Sequence, residues 1–73
     1  MGRPTATAVV QFDRARLHEM RTAREWRVED LASRAHCSTA AIRHWEGGLR
    51  SPTIDSLARL AFAFDVEIGE LLR

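Results

Sequence analysis

The sequence contains no lysine and no tyrosine, and Cys37 is its single cysteine. One cysteine cannot form an intramolecular disulfide, and Cys37 stands where a helix start needs an apolar residue. We therefore expect a buried structural thiol. The neighbouring His36 and Cys37, taken with His44, lack both the paired spacing and the fourth ligand of a zinc site. These absences predict no metal site and no cofactor.

A long apolar run is also missing from the sequence. No segment approaches the ~20 apolar residues that cross a bilayer, and the N-terminus has no signal-peptide apolar region. A glycine-rich phosphate loop, a carboxylate pair and a nucleophile with its base are absent as well. A length of 73 residues leaves room for one small domain. We expect a soluble, cytoplasmic protein that is not an enzyme and has no membrane partner.

The net charge of the sequence is only +1, but the charges are unevenly distributed. Residues 1–50 hold nine arginines against six acidic residues, whereas residues 51–73 hold two arginines against four acidic residues. The first part is therefore basic and the last part acidic. The use of arginine throughout favours bidentate contacts to phosphate and guanine. The charges by themselves do not identify a partner.

Cap residues and apolar spacing predict an all-α domain. Residues that can cap a helix precede segments of helical period, and apolar residues flank the caps as hydrophobic staples. The five predicted helices cover residues 14–24, 28–35, 39–46, 54–64 and 68–72. Asp13, Ser38 and Thr53 are the predicted caps of the first, third and fourth helices. In the fourth helix, the residues predicted to face inward are Ile54, Leu57, Leu60, Ala61 and Phe64.

Two positions in the predicted domain depart from the usual helix signals. Arg27 stands at the cap of helix 2 without a side-chain acceptor, so this start depends on Glu29 and Asp30 meeting the helix dipole. His36 fills the turn between helices 2 and 3, where glycine is usual. We expect His36 to be left-handed, exposed and structural.

Residues 1–11 differ in character from the rest of the chain. They have no sustained apolar period and contain Gly2 and Pro4. This composition predicts a flexible N-terminal arm whose end can pair or dock. The folded domain is predicted to span residues 12–73.

Helix 3 has two different faces. At about 100° per residue, Ala41, Ile42 and Trp45 lie on one side and form a core face. The opposite side carries small residues, then a guanidinium and an imidazole, and no acidic group; its residues are Thr39, Ala40, Arg43 and His44. A face of this composition suits close approach to a polyanion.

Two helices joined by a tight turn, the second with a polar outer face, form a helix-turn-helix arrangement. The residues that match a known pattern are Leu17, Met20, Arg21, Leu31, Ala32, Ser38, Ile42, Trp45, Glu46, Gly48, Pro52, Thr53, Leu57, Leu60, Ala61, Val66, Leu71 and Leu72. Across residues 12–72 the chain resembles the Cro/C1-type, or XRE-like, helix-turn-helix family of phage repressors and bacterial regulators. This resemblance implies a compact five-helix, lambda-repressor-like fold in which helices 2 and 3 form the motif.

The same resemblance implies sequence-specific binding of double-stranded DNA by a transcriptional regulator of the repressor type. Helix 3 would enter the major groove, with Thr39, Ala40 and His44 facing base edges. Arg43 would face a phosphate or a base, and Arg50 in the following loop would hold the DNA backbone.

The implied DNA contacts include the starts of both motif helices. Ser38 lies at the start of helix 3, and Arg27 and Val28 lie at the start of helix 2, where the family usually has a capping Ser or Thr and then Gln. Arg27 would supply a substitute cation there. The resemblance also implies a structural ion pair between Arg21 in helix 1 and Glu46 in helix 3.

One copy of such a domain offers few base contacts, so we expect a homodimer, at least on DNA, that occupies an inverted repeat. An alternative remains open. The same fold could serve as a protein-interaction module or an antitoxin-like protein that binds a protein partner. Partner docking predicts association that is insensitive to salt, whereas DNA binding predicts a steep salt dependence.

Overall fold

A computed structural model describes residues 10–73, and the first nine residues of the predicted N-terminal arm lie outside this range. Within residues 10–73 there are four α-helices and one 3-10 turn. Their bounds are α1 Arg14–Ala23, α2 Val28–Ala35, α3 Thr39–Gly47, α4 Ile54–Phe64 and the 3-10 turn Ile68–Leu71. The four α-helices agree with the predicted ones to within a residue at each end.

The predicted caps of α1, α3 and α4 are confirmed. The side chain of Asp13 accepts a hydrogen bond from the backbone N–H of Arg16 at 3.0 Å. Ser38 accepts one from the N–H of Ala41, also at 3.0 Å, and Thr53 caps α4 in the same way. Each bond satisfies a donor that the first helical turn leaves without a partner.

The start of α2 is held from within the helix. The Asp30 carboxylate accepts a hydrogen bond from the backbone N–H of Arg27 at 2.8 Å, a contact beyond the predicted interaction of Asp30 with the helix dipole. This backbone hydrogen bond lowers the pKa of Asp30 below its ordinary value. The Arg27 side chain cannot return a bond to the helix, because a guanidinium has no acceptor. Half of a capping box is therefore present.

The turn between α2 and α3 has the predicted left-handed residue. His36 has φ 55° and is exposed. The N–H of Cys37 reaches back to the carbonyl oxygen of Ala32 at 2.9 Å and closes the end of α2. Arg59 of α4 donates a hydrogen bond to the carbonyl oxygen of His36 at 3.0 Å, so α4 also holds the turn in place.

The predicted fifth α-helix is not formed. Residues Ile68–Leu71 make a single 3-10 turn, because four residues are too few for a ladder of α-helical bonds. Leu72 is extended and forms an antiparallel bridge with Phe12. The backbones of Gln11 and Arg73 exchange two hydrogen bonds, at 3.2 and 2.9 Å. The described N-terminal end is thus joined to the C-terminal end.

The core lies between the four helices and is closed by the 3-10 turn. Its buried residues are Leu17, Met20, Leu31, Ala32, Ala35, Ile42, Trp45, Leu57, Leu60, Ala61, Phe64 and Leu71. The prediction that Ile54 faces inward was wrong, since its side chain is 75% exposed. Ile54 is the first residue of α4 and faces an open groove rather than another helix. Cys37 was predicted to be buried and is half-buried, and this burial raises the pKa of its thiol.

An aromatic stack ties the α1–α2 turn to α4. The rings of Trp26 and Phe64 lie 5.5 Å apart and nearly parallel. The Arg34 guanidinium lies over the ring of Trp26, and the Arg24 guanidinium lies over the ring of Phe64. Both cations therefore contact aromatic rings and not α3. No helix within residues 10–73 is long and apolar enough to cross a bilayer.

Candidate nucleic-acid interface

The outer face of α3 is the centre of the candidate site. Ile42 is fully buried and Trp45 is 7% exposed, so the inner face of the helix is anchored in the core. On the opposite face Ala40 and Arg43 are exposed. Thr39 and His44, which we expected on this face, are half-buried. The buried and exposed faces of α3 therefore agree with the helical period. The fully exposed part of the outer face, which we call the exposed strip, contains Ala40 and Arg43 and is narrower than the predicted face of four residues.

A shallow groove brings several of the predicted contact residues together. Ser38, Ala40, His44 and Arg50 all line it, although Arg50 is six residues beyond His44 in the chain. The cap residue Thr53 of α4 lines the groove as well. The loop after α3 folds back because the backbone N–H groups of Leu49 and Arg50 both donate to the carbonyl oxygen of His44. The end of α3 and the loop thus present one continuous surface.

Arg50 lines this groove, whereas Arg43 lies on the exposed face of α3 outside it. Both are exposed, and their guanidinium groups take part in no ion pair with any residue in the range 10–73. The remaining arginines of that range contact a carboxylate, a carbonyl oxygen, an aromatic ring or a side-chain amide; they are Arg14, Arg16, Arg21, Arg24, Arg27, Arg34, Arg59 and Arg73. Two guanidinium groups at α3 are consequently available for phosphate or base contacts.

The start of α2 offers different DNA-contacting groups from those usual in the family that the chain resembles. Arg27 has a side chain that is 80% exposed, and its Nε lies 3.6 Å from the Asp30 carboxylate. Val28 is half-buried and packs against the core. A valine there offers no hydrogen bond to DNA, so the cation of Arg27 is the polar group at this position.

The end of α3 is fixed to α1 by an ion pair. Arg21 Nε lies 2.7 Å from Glu46 Oε2, and Arg21 Nη2 lies 3.0 Å from Glu46 Oε1. Both side chains are 11% exposed. Arg21 Nη1 also donates to the carbonyl oxygen of Trp26 at 2.7 Å. Burial acts to raise the pKa of Glu46, but hydrogen bonds from Arg21 and His18 outweigh it and lower the pKa.

Two further contacts between α1 and α3 were missed in the sequence. His18 Nδ1 lies 2.9 Å from Glu46 Oε1, and Arg14 Nη1 donates to the carbonyl oxygen of Gly47 at 2.7 Å. The signal was present, because residues 14, 18 and 21 share one face of α1 at helical spacing. Which element that face meets is a tertiary fact. We call His18, Arg21 and Glu46 the α1–α3 bridge.

A family model described as a helix-turn-helix domain matches residues 14–73. The chain belongs to this helix-turn-helix family. Among curated relatives it is 37% identical over 57 residues to the HTH-type transcriptional activator BcrR of Enterococcus faecalis. That match covers 78% of the chain but only 28% of BcrR, so the chain spans little more than a quarter of that relative.

Two solved structures show the same helix-turn-helix fold. The restriction-modification controller protein C.AhdI of Aeromonas hydrophila is 33% identical with a TM-score of 0.77, covering 80% of this chain and 88% of that one. The P22 c2 repressor, solved with a synthetic operator, is 25% identical with a TM-score of 0.79, covering 86% and 96%. These matches confirm the resemblance to the Cro/C1 type. They also support a DNA-binding regulator rather than an enzyme.

Proposed function

We propose that this helix-turn-helix protein is a sequence-specific transcriptional regulator that inserts α3 into the major groove of double-stranded DNA. The observation that carries the proposal is the exposed strip of α3, which contains Arg43, with Arg50 in the groove beside it. The inner face of that helix is held by the core and by the α1–α3 bridge. The P22 c2 repressor, which shares the fold, was solved bound to an operator.

The proposed contacts divide into positioning and reading. Arg27, Arg43 and Arg50 neutralise phosphates and set the register of the protein on the duplex. Base readout falls to Thr39 and His44, with Ala40 against a thymine methyl group. Backbone N–H groups at the start of α3, after Ser38, face a phosphate. Val28 takes no part in hydrogen bonding.

We infer repression as the mode of action, since occupation of an operator is enough to block access to it. Two copies bind an inverted repeat, with half-sites ~34 Å apart on one side of the duplex. The place of action is then the cytoplasm, where the DNA of a bacterial regulator lies. The matched proteins include both an activator, BcrR, and a repressor, P22 c2.

The test of this proposal is selection from a random duplex pool by the purified protein at about 0.15 M salt, followed by sequencing. We expect enrichment of an inverted repeat. An Arg43→Ala, Arg50→Ala double variant should lose this enrichment. Arg16→Ala, which removes a cation bound to Glu19 and Glu70 instead, is the matched control and should keep it. A pool that stays unenriched with the unaltered protein contradicts sequence-specific binding.

The salt dependence of binding tests the two cations directly. Each phosphate neutralised contributes a slope of ~−0.9 in a plot of log affinity against log salt concentration. Removing Arg43 and Arg50 together should therefore make the slope shallower by about two, while Arg16→Ala leaves it unchanged. Equal slopes for all three proteins would show that Arg43 and Arg50 do not face phosphate.

A protein-interaction module is the second candidate function. The observation that favours it is Val28, an apolar, half-buried residue at the position where the resemblance implies a DNA-contacting glutamine. Under this hypothesis the protein binds a protein partner instead of DNA. That association would be insensitive to salt and would survive the Arg43→Ala, Arg50→Ala change.

A further inference from the structure

A second groove adjoins the proposed DNA surface and is lined by three arginines. We define it by Arg14, Gly47, Gly48, Arg50 and Arg73, which all line it. None of the described residues that line it is an aspartate or a glutamate. Arg50 also lines the groove at α3 described above, so the two grooves meet at this residue. The positive charge of the second groove is therefore continuous with that of the proposed DNA surface.

The three arginines of the second groove are exposed, and no described carboxylate side chain compensates their charge. Arg14 Nη1 donates to the carbonyl oxygen of Gly47 at 2.7 Å, and Arg73 Nη2 donates to Oε1 of Gln11 at 3.4 Å. Both acceptors are neutral oxygens. None of the three arginines, Arg50 included, forms an ion pair with a side chain in the range 10–73. A guanidinium has five N–H groups, so each arginine keeps donors for an anionic ligand.

Gly47 leaves the wall of the second groove open next to Arg14. It is exposed, and a Cβ atom built on it would meet open space. Its backbone is not left-handed, so the fold itself does not require glycine at this position. Glycine is also the residue that lets a ligand come close to the backbone. An anion can therefore reach the Arg14 guanidinium past Gly47 without meeting a side chain there.

We propose that Arg14 and Arg73 bind phosphates of the DNA strand that Arg50 holds, so that the second groove extends the DNA interface past α3. The inference rests on the proposed function, in which Arg50 contacts the DNA backbone. A DNA strand carries phosphates at regular intervals, and guanidinium groups bind phosphate through paired N–H donors. An acidic segment of a protein partner would match the charge as well. The position of Arg50 on both grooves favours the DNA strand.

The first test is the salt dependence of binding to a duplex that the unaltered protein enriches. Arg14→Gln with Arg73→Gln should make the log-log slope shallower by about two, since each phosphate neutralised contributes ~0.9. Between about 0.05 and 0.2 M salt, the unaltered protein should lose about tenfold more affinity than this variant. Arg14→Lys with Arg73→Lys retains both charges and should keep the slope. Arg16→Gln with Arg34→Gln removes two cations outside both grooves, and this matched control should keep the slope too.

The second test locates the phosphates that the second groove binds. Each phosphate of the duplex is replaced in turn by a neutral methylphosphonate, and the affinity of each duplex is measured. With the unaltered protein, the loss of affinity should extend from the phosphate assigned by Arg50→Ala to its neighbours on the same strand. Those neighbours should have no effect with Arg14→Gln, Arg73→Gln, because the cations that they meet are gone. A purely structural role of the two arginines would lower the affinity for all duplexes equally.

The folding of the variants does not limit the test. Urea unfolding without DNA shows whether the double variant is folded. Arg73→Gln alone leaves the contact of Arg14 with Gly47 intact and should make the slope shallower by ~0.9.

The possible failures are distinguishable. Unchanged slopes in the glutamine variants overturn the inference while the proposed function stands. If these variants also lose retention on a polyglutamate resin, the second groove binds an acidic protein segment and not DNA. An unaltered protein that enriches no duplex overturns the proposed function itself.

Discussion

At the scale of single residues, two adjacent glycines at the end of α3 have different roles. Gly48 has φ 81°, and a Cβ atom built on it would clash with the Arg14 guanidinium. Gly47 is the last residue of the helix and has open space around its Cα. Glycine is therefore needed at 48 by both backbone and packing, and at 47 by neither.

This difference predicts opposite effects of alanine at the two positions. Gly48→Ala should lower the free energy of unfolding by about 1 to 2 kcal/mol, because the left-handed backbone is strained and Arg14 must leave the carbonyl oxygen of Gly47. Gly47→Ala is the matched control and should be neutral or add up to about 0.5 kcal/mol. Urea unfolding measures both. Equal losses at both positions would contradict both the backbone strain and the clash with Arg14 at Gly48.

Glu46 is the acidic residue on which the α1–α3 bridge depends. Glu46→Gln keeps the shape of the side chain but leaves the nearly buried Arg21 without its counter-charge, at a cost of about 2 kcal/mol in unfolding free energy. Glu19→Gln, in an exposed pair with Arg16, is the control and should change stability little. A small loss with Glu46→Gln would mean that water replaces the ion pair at no cost.

The same carboxylate predicts a pH dependence. Because the pKa of Glu46 is lowered in the folded protein, its contribution is present above the ordinary carboxyl pKa and is lost as the pH falls through the lowered one. The urea midpoint should therefore decline below about pH 4. It should decline less steeply in Glu46→Gln, which has no carboxyl group to protonate at that position. Parallel declines would contradict this assignment.

At the scale of elements, Arg27 at the start of α2 has two properties: it is a weak helix cap and a proposed phosphate contact. Arg27→Ser completes the capping box with Asp30 and should add about 0.5 to 1 kcal/mol to the free energy of unfolding. The same change should weaken DNA binding and make the log-log salt slope shallower by ~0.9. Thermal unfolding of the variant tests the predicted gain in stability, and DNA titration of the same variant tests the predicted loss of affinity. Greater stability with unchanged affinity would remove Arg27 from the proposed contacts.

At the scale of the whole molecule, Ile54 is an exposed apolar residue beside the proposed DNA surface. It is 75% exposed and lines the second groove, on the other side of Arg50, which also contains Arg14 and Gly48. We propose that Ile54 meets a second copy on the adjacent half-site. Ile54→Asp should weaken paired occupation of an inverted repeat about tenfold, as expected for one apolar side chain kept out of an interface. Binding to a single half-site should be unaffected.

Phe62 provides the control for Ile54. It is 81% exposed on another part of α4 and lies outside that groove. Phe62→Asp should leave paired occupation unchanged, as measured by the number of copies bound per duplex. A similar loss with both variants would point to a general effect of the added charge and not to an interface at Ile54.

The sequence by itself determined the four α-helices, three of their caps and the left-handed turn at His36, because these depend on neighbours within a few residues. It also predicted the inner face of α3 through the spacing of Ile42 and Trp45. The resemblance, and not the spacing, supplied the pair of Arg21 with Glu46. Local patterns carry this information because helical periodicity and capping are short-range effects.

The tertiary structure alone decided what each face meets. His18 joins Glu46 because α1 crosses the end of α3, 28 positions further along the chain. Ile54 is exposed because no helix within residues 10–73 covers the first turn of α4, although its spacing fits the buried face. Leu72, predicted as the last residue of a fifth helix, is instead extended and pairs with Phe12, 60 positions earlier in the chain. Helical spacing shows that residues 14, 18 and 21 share one face of α1 but not which element that face meets, so only the assembled fold shows the contact with α3.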